Sequence, residues 1–311
     1  MCSKGIGISL RPSGFVGWLW VVMIAGTFFS AATAGIAIPP EVSRHDRPTL
    51  RFAVIGDYGR AGQPERAVAH LVAQWHPDII LTTGDNDYPA GDATTLDQNI
   101  GQYYHAFIAP YHHQLGTRAT VNRFFPALGN HDWYTAGAKP YVNYFTLPGN
   151  ERYYTFSRGP VQFFALDSDP HEPDGTMSDS PQGQWLQRQL QVSHACWKIV
   201  YFHHPPYSSG TTHGSNAWMQ WPFRQWGVDV VLSGHEHNYE RLEVDGLLYV
   251  VNGAGGSSLY PFGPPLAGSQ VRYNADYGAL SVEASPSRLT FQFVTQTGQV
   301  VDAYQRQKPC S

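Results

Sequence analysis

Val230-Val231-Leu232-Ser233-Gly234-His235-Glu236-His237 is an apolar run that stops at a glycine and then presents two histidines one residue apart. A short apolar run bounded by turn residues reads as a buried strand. Both histidines therefore sit where a core strand gives way to a loop, and histidine is the commonest metal ligand at neutral pH. One His-x-His is a weak signal, but four other strand-like runs also end in residues able to bind a metal. Leu50 to Gly56 ends in Asp57-Tyr58-Gly59, and Asp78 to Thr83 ends in Gly84-Asp85-Asn86-Asp87-Tyr88. Phe124 to Leu128 ends in Gly129-Asn130-His131-Asp132, and Lys198 to Phe202 ends in His203-His204-Pro205-Pro206.

Between the first two strands, Pro64 to Trp75 places Val68, Leu71, Val72 and Trp75 on one helical face, with Pro64 suited to a first turn. Strand, helix and strand in succession predict a βαβ unit with parallel strands. Ligand sites gather at the carboxyl ends of such strands, so Asp57 and Asp85 should face one crevice. A strand over 161–166 and a helix over 180–193 continue the α/β pattern, and Ala217 to Trp226 reads as a tryptophan-rich helical piece. Residues 89–123, rich in tyrosine and histidine, read as an aromatic helix or surface loop that packs rather than ligates. Four late runs, 247–251, 279–284, 289–294 and 300–304, are expected to pair antiparallel as a second sheet. No linker is visible after residue 50, which predicts one domain over 50–311.

The first residues carry Lys4 and Arg11 and no acid, followed by an apolar stretch from Phe15 and then Ala32-Thr33-Ala34. This pattern predicts a secretory signal peptide over 1–34. Phe15 to Ile38 is also long enough for a retained membrane anchor. Residues 35–49 form a polar, proline-bearing leader. Either reading places the rest of the chain outside the cytoplasm, with membrane contact only if the segment is retained. Loss of residues 1–34 removes two positive charges and moves the formal charge from −4 to −6. With no lysine or arginine block, the chain lacks the basic stripe of a nucleic-acid-binding surface. Cys196 and Cys310 would remain, as a disulfide or as two buried thiols.

The strand-end donors are Asp57, Asp85, Tyr88, Asn130, His203, His235 and His237. Seven donors are too many for one ion with a vacant position, but they suit two ions bridged by a carboxylate, with Asp85 the natural bridge. Such a pair clamps the attacking and leaving oxygens of a phosphoryl displacement. Mixed imidazole and carboxylate donors favour zinc, iron or manganese over calcium. A phenol has a pKa of about 10, so Tyr88 would ligate only beside a highly charged ion, which points to Fe³⁺. Each residue alone also has a plainer reading: Asp57 as a cap or turn residue, Asn130 as a turn residue, and His203 and Tyr88 as core packing.

Together the five blocks resemble the signature of calcineurin-like metallophosphoesterases. Tyr88, the run Leu147-Pro148-Gly149-Asn150-Glu151-Arg152-Tyr153-Tyr154 and the run from His235 to Arg241 resemble its purple acid phosphatase branch, in its small single-domain form. The resemblance covers residues 50 to about 300 and implies a four-layer αββα sandwich of two mixed sheets flanked by helices. It implies Fe³⁺ at Asp57, Asp85, Tyr88 and His237. It also implies a divalent ion (Fe²⁺, Zn²⁺ or Mn²⁺) at Asp85, Asn130, His203 and His235, with His204 turned away. The implied activity is hydrolysis of small phosphate monoesters by a hydroxide formed at the two ions. His131 would protonate the leaving group or hydrogen-bond the phosphate, and His213 would contact phosphate or remain a surface histidine. Glu236 is expected to point away from both ions. The rival expectations are a phosphodiesterase or pyrophosphate hydrolase on the same centre, and a secreted phosphate- or partner-binding protein without catalysis.

Overall fold

A computed structural model describes residues 49–112, 115–116 and 119–310. The predicted signal peptide or anchor, most of the leader, and His113 of the aromatic segment lie outside the described residues. In chain order the first strands are β1 (Leu50–Ile55), β2 (Ile79–Thr82) and β3 (Phe124–Pro126), followed by β4 (Tyr154–Arg158), β5 (Val161–Ala165), β6 (Trp197–Tyr201) and β7 (Val230–Ser233). The remainder are β8 (Tyr239–Val244), β9 (Leu247–Asn252), β10 (Ser269–Tyr273), β11 (Gly278–Ser285), β12 (Arg288–Thr295) and β13 (Val300–Gln307).

These strands make two mixed sheets. One has the order β13-β12-β11-β1-β2-β3 and the other β10-β8-β9-β7-β6-β5-β4. β1 and β2 are parallel, as the intervening helix Gln63–Gln74 requires, and β3 continues parallel to β2. In the second sheet β5, β6, β7 and β9 are parallel to one another in sheet order. Successive residues of these strands divide between two cores, because side chains alternate along a strand. Phe163, Ile199 and Val230 face the core between the sheets, while Phe164, Val200 and Val231 face an outer core. Phe52 of β1 meets Phe163 of β5 edge to face at 5.1 Å, and Tyr239 of β8 stacks on Phe293 of β12 at 4.2 Å. The helix Pro181–Gln191 buries Leu186 and Leu190 in the outer core. Ser180 caps it by accepting from the Gly183 N–H, which relieves one unpaired donor of the first turn. The helix Gln63–Gln74 covers the first sheet with Val68, Ala69 and Val72. The result is the four-layer arrangement of helix, sheet, sheet and helix.

Two expectations need correction. The late strands do not form a sheet of their own. β11, β12 and β13 extend the first sheet, with β11 antiparallel to β1, and β9 lies parallel to β7 in the other sheet. Antiparallel habit was legible, but the partner strand was not, because any buried strand of matching length offers the same ladder. The segment 217–226 holds only one 3₁₀ turn, Ala217–Met219, followed by turns; Pro222 removes a backbone donor that a helix would use. Within 89–123 a short helical stretch spans Asp97–Gly101 and Gln102–Tyr104, and Tyr104 and Tyr111 are buried as packing residues. Cys196 and Cys310 form a disulfide that ties the start of β6 to the residues after β13.

One buried acid strains this core. Glu65, in the first turn of its helix, is fully buried, and neither carboxyl oxygen has a hydrogen-bond partner among the described residues. Burial, and then the charge of Asp87, push it well above the ordinary carboxylate range. The folded protein thus holds a proton there at pH values where the unfolded chain has released it. Stability contributed at this position is present at low pH and is lost as pH rises above the unfolded value of about 4.3. Glu65→Gln, which keeps the shape without the charge, is therefore expected to raise the thermal midpoint at pH 8 by roughly 2–4 °C and to leave it nearly unchanged at pH 4. Melting curves at the two pH values check this; a lower midpoint at pH 8 contradicts it.

Candidate metal centre

All seven predicted donors converge at the carboxyl ends of the strands. Asp57 follows β1, Asp85 and Tyr88 follow β2, Asn130 follows β3, His203 follows β6, and His235 and His237 follow β7. Six of these residues are at most 9% exposed, and only Asn130 is half-buried. Their polar atoms fall into two groups. In the first, the Tyr88 hydroxyl lies 2.9 Å from Asp85 Oδ2, 3.4 Å from Asp57 Oδ1 and 3.1 Å from His237 Nε2, and His237 Nε2 lies 3.2 Å from Asp57 Oδ1. In the second, His203 Nε2 lies 3.4 Å from Asp85 Oδ1, 3.1 Å from Asn130 Oδ1 and 3.0 Å from His235 Nδ1. Asp85 contributes one oxygen to each group.

These spacings fit metal ions. Donors about 2.0–2.2 Å from one ion stand about 2.9–3.5 Å from each other in octahedral or tetrahedral arrangements. The hydrogen bonds behind the donors make the same point. His203 Nδ1 lies 2.8 Å from the Thr83 carbonyl, which can only accept, so Nδ1 carries the proton. The neutral ring then turns the lone pair of Nε2 toward Asp85 Oδ1, Asn130 Oδ1 and the His235 ring. A positive charge between them fits that geometry. With protein charges alone, a proton fills the need: burial opposes it, but Asp85 and Asp57 raise His203 to about 10. Asp85 is driven the other way, because His203, His131 and His235 together outweigh its burial and hold it well below the usual carboxylate range. Burial, then Asp85 and Asp57, hold the Tyr88 phenol well above its ordinary value; a highly charged cation would invert that balance.

The backbone is bent to bring these atoms together. Asp57, Asp85 and His235 have φ of 54°, 53° and 69°, a left-handed conformation that is uncommon outside glycine and concentrates at functional sites. The glycines before Asn130 and His235 are fixed by close approach. A Cβ on Gly129 would stand 2.2 Å from Asp85 Oδ1, and one on Gly234 would stand 2.5 Å from Asp57 Oδ2. The glycines of the third and fifth blocks thus make room for the carboxylates of the second and first. Asp57 Oδ2 accepts from the His235 N–H at 2.9 Å, and Asp85 Oδ1 accepts from the His131 N–H at 3.0 Å.

His131 and His213 border the site on different loops. His131 Nδ1 donates to the Pro89 carbonyl at 2.6 Å, and its Nε2 lies 3.9 Å from Asp85 Oδ2. His213 stacks on His235 with ring centres 4.0 Å apart. His204 lies on another side of the His235 ring, at 4.3 Å, with Nδ1 bonded to Ser168 Oγ. Burial, and then His203, lower it to about 3, so it packs there as a neutral ring. The sequence reading missed Ser258 and Tyr260. Ser258 Oγ lies 2.7 Å from His237 Nδ1, and Tyr260 stacks on His237 at 4.0 Å. The run Asn252 to Gly256, where the backbone passes close to Gly56 and Glu236, brings them to the site. It also missed Tyr134, an exposed ring whose hydroxyl accepts from Asn130 Nδ2 at 3.1 Å.

Comparison with known proteins agrees with this geometry. Residues 50–239 match the family model for calcineurin-like phosphoesterase, and residues 246–303 match that for iron/zinc purple acid phosphatase-like protein C. Purple acid phosphatase 15 of Arabidopsis thaliana is 29% identical over 67% of this chain and 45% of its own length. Tartrate-resistant acid phosphatase type 5 of Oryctolagus cuniculus is 24% identical over 81% of this chain and 89% of its own. The chain spans about half the length of the first Arabidopsis and soybean (Glycine max) relatives it matches. A purple acid phosphatase from yellow lupin seeds shares the fold with a TM-score of 0.68 and 21% identity, covering 84% of this chain and 54% of that one. GAP50 of Plasmodium, described as the anchor in the inner membrane complex, shares it with a TM-score of 0.66 and 20% identity, over 85% of this chain and 90% of that one. With five interlocked strand-end blocks and a family match across most of its length, the chain belongs to the calcineurin-like phosphoesterase family and carries a purple acid phosphatase-like C-terminal segment.

Proposed function

We propose that this protein is an exported acid phosphatase that hydrolyses small phosphate monoesters at a dinuclear metal centre. The observation that carries the reading is the Asp85 carboxylate, with one oxygen in each of two donor groups. Asp57, Asp85, Tyr88 and His237 would hold Fe³⁺, and Asp85, Asn130, His203 and His235 would hold Fe²⁺, Zn²⁺ or Mn²⁺. When bound, such a pair polarises the phosphoryl oxygens and supplies a nucleophile from water at neutral pH. The chain's own residues do the rest. The Pro89 carbonyl holds Nδ1–H of His131, so Nε2 of the same ring is free to carry a proton to the departing alkoxide. His213, above His235, is placed to donate to a phosphoryl oxygen. No protein nucleophile is required.

The disulfide supports an oxidising compartment. In this reading residues 1–34 are a signal peptide or anchor, and residues 50–311 are the phosphoesterase domain. No described helix is long and apolar enough to cross a membrane. A secreted phosphate- or partner-binding protein without catalysis is the alternative. The complete donor set argues against that alternative here.

Purified protein is expected to hydrolyse p-nitrophenyl phosphate, and Asp85→Asn to lose more than roughly 100-fold in kcat, beyond what losing an outer hydrogen-bond partner costs. Equal rates for the two proteins would contradict the reading, and faster turnover of bis-p-nitrophenyl phosphate would move it to a diesterase. His131→Ala should cost roughly 10²–10⁴-fold with alkyl phosphates and far less with p-nitrophenyl phosphate, whose leaving group departs without a proton. An equal loss on both substrates removes His131 as the acid. Native protein should show a visible phenolate-to-iron absorption band that is absent in Tyr88→Phe. A metal-replete protein without the band would hold two divalent ions instead.

A further inference from the structure

Glu236 stands between His235 and His237 but turns its carboxyl group away from the donor groups. It is fully buried. Oε1 accepts from the backbone N–H of His213 at 2.5 Å and of Gly214 at 2.6 Å, and Oε2 has no hydrogen-bond partner among the described residues. Burying a carboxyl group away from water is costly unless it is well bonded, so its placement needs a reason beyond filling space. The loop it holds runs close above it. A Cβ on Gly210 would lie 2.3 Å from the Glu236 carboxyl carbon, so only a glycine lets the loop pass there. The flanks of the loop have separate ties: Thr211 N–H donates to the Pro261 carbonyl at 3.1 Å, Gly263 N–H to the Ser209 carbonyl at 2.8 Å, and Asn216 N–H to the Pro205 carbonyl at 2.9 Å. At the tip, the donors of residues 213 and 214 turn inward to Glu236.

We infer that Glu236 is a positioning residue: its two bonds to the backbone of residues 213–214 hold the His213 ring over His235, and so set the distance from His213 to the substrate's phosphoryl group. The inference rests on the phosphatase reading for its functional consequence, though not for the geometry. A pair of N–H···O bonds from adjacent residues to one oxygen fixes orientation as well as distance. Without them the loop keeps its flanks, but the tip is free to lift the imidazole off His235. The residue between the two histidines thereby links the fifth block to the loop that follows the fourth.

The test uses metal-loaded protein, with metal content measured for every variant. Inorganic phosphate affinity and kcat/KM are compared among wild type, Glu236→Ala, Glu236→Gln, His213→Ala and the Glu236→Ala/His213→Ala double variant. The reactivity of His213 toward diethyl pyrocarbonate is read by mass spectrometry. Glu236→Ala is expected to weaken phosphate binding by roughly ten- to a hundredfold, to match His213→Ala, and to expose His213 to faster modification. The double variant should lose no more than either single one. Glu236→Gln retains an acceptor and should recover most of the affinity. Unchanged affinity and His213 reactivity in Glu236→Ala, or a double-variant loss equal to the product of the single losses, overturns the inference. Should Glu236→Ala not fold, Gly210→Ala, which displaces the carboxyl group, is expected to give the same phosphate and His213 signatures; wild-type behaviour in that variant overturns it equally. If wild type turns over no phosphate ester, the phosphatase reading fails, while the His213 modification rates still decide the role of Glu236.

Discussion

Everything at the site depends on the Asp85 carboxylate being held between two sets of donors. Its Oδ2 faces Tyr88, and its Oδ1 faces His203 and the His131 N–H. That requires a left-handed backbone at residue 85 and a bare Gly129 beneath it. It also requires parallel strands from both sheets to end at one level. A carboxylate buried this deeply is costly unless its charge is answered. In the protein alone the imidazole of His203 answers it. Bound ions would do so from both sides, and removal of either set would leave the other's charge uncompensated.

This dependence explains how much of the molecule the sequence made legible. The β1-helix-β2 unit could be read because Val68, Leu71 and Val72 repeat at helical spacing between two apolar runs. The ends of β1, β2, β3 and β7 could be read because glycine followed by Asp, Asn or His interrupts each run, and the end of β6 because a His pair and two prolines do. The donors are local to those ends, so the residues brought together were visible before any fold was known. Partnership between distant strands was not. Nothing in β11 states that it pairs with β1 rather than with β9, since Ala279, Leu280 and Val282 would suit either neighbour. The Cys196–Cys310 disulfide likewise depends on a distance that only the folded sheet supplies.

The residues behind the donors were the least legible. Ser258, Thr83 and Pro89 act through single oxygen atoms, two of them backbone carbonyls, and a backbone carbonyl leaves no mark on sequence. Such outer bonds fix which imidazole nitrogen faces the ions, so the chemistry of His203 and His131 is set by residues no motif contains. Glu236 is the reverse case. It lies inside the most recognisable stretch of the chain, and its neighbours' prominence hides its own contact with the loop at residues 213–214.

Metal analysis of purified, metal-replete protein, expressed as ions per chain, decides whether one chain holds two ions with Asp85 between them. Two ions per chain are expected in the wild type, one of them iron, and fewer than two in Asp85→Asn. A wild-type value of one ion per chain, or two ions retained in full by Asp85→Asn, would contradict it.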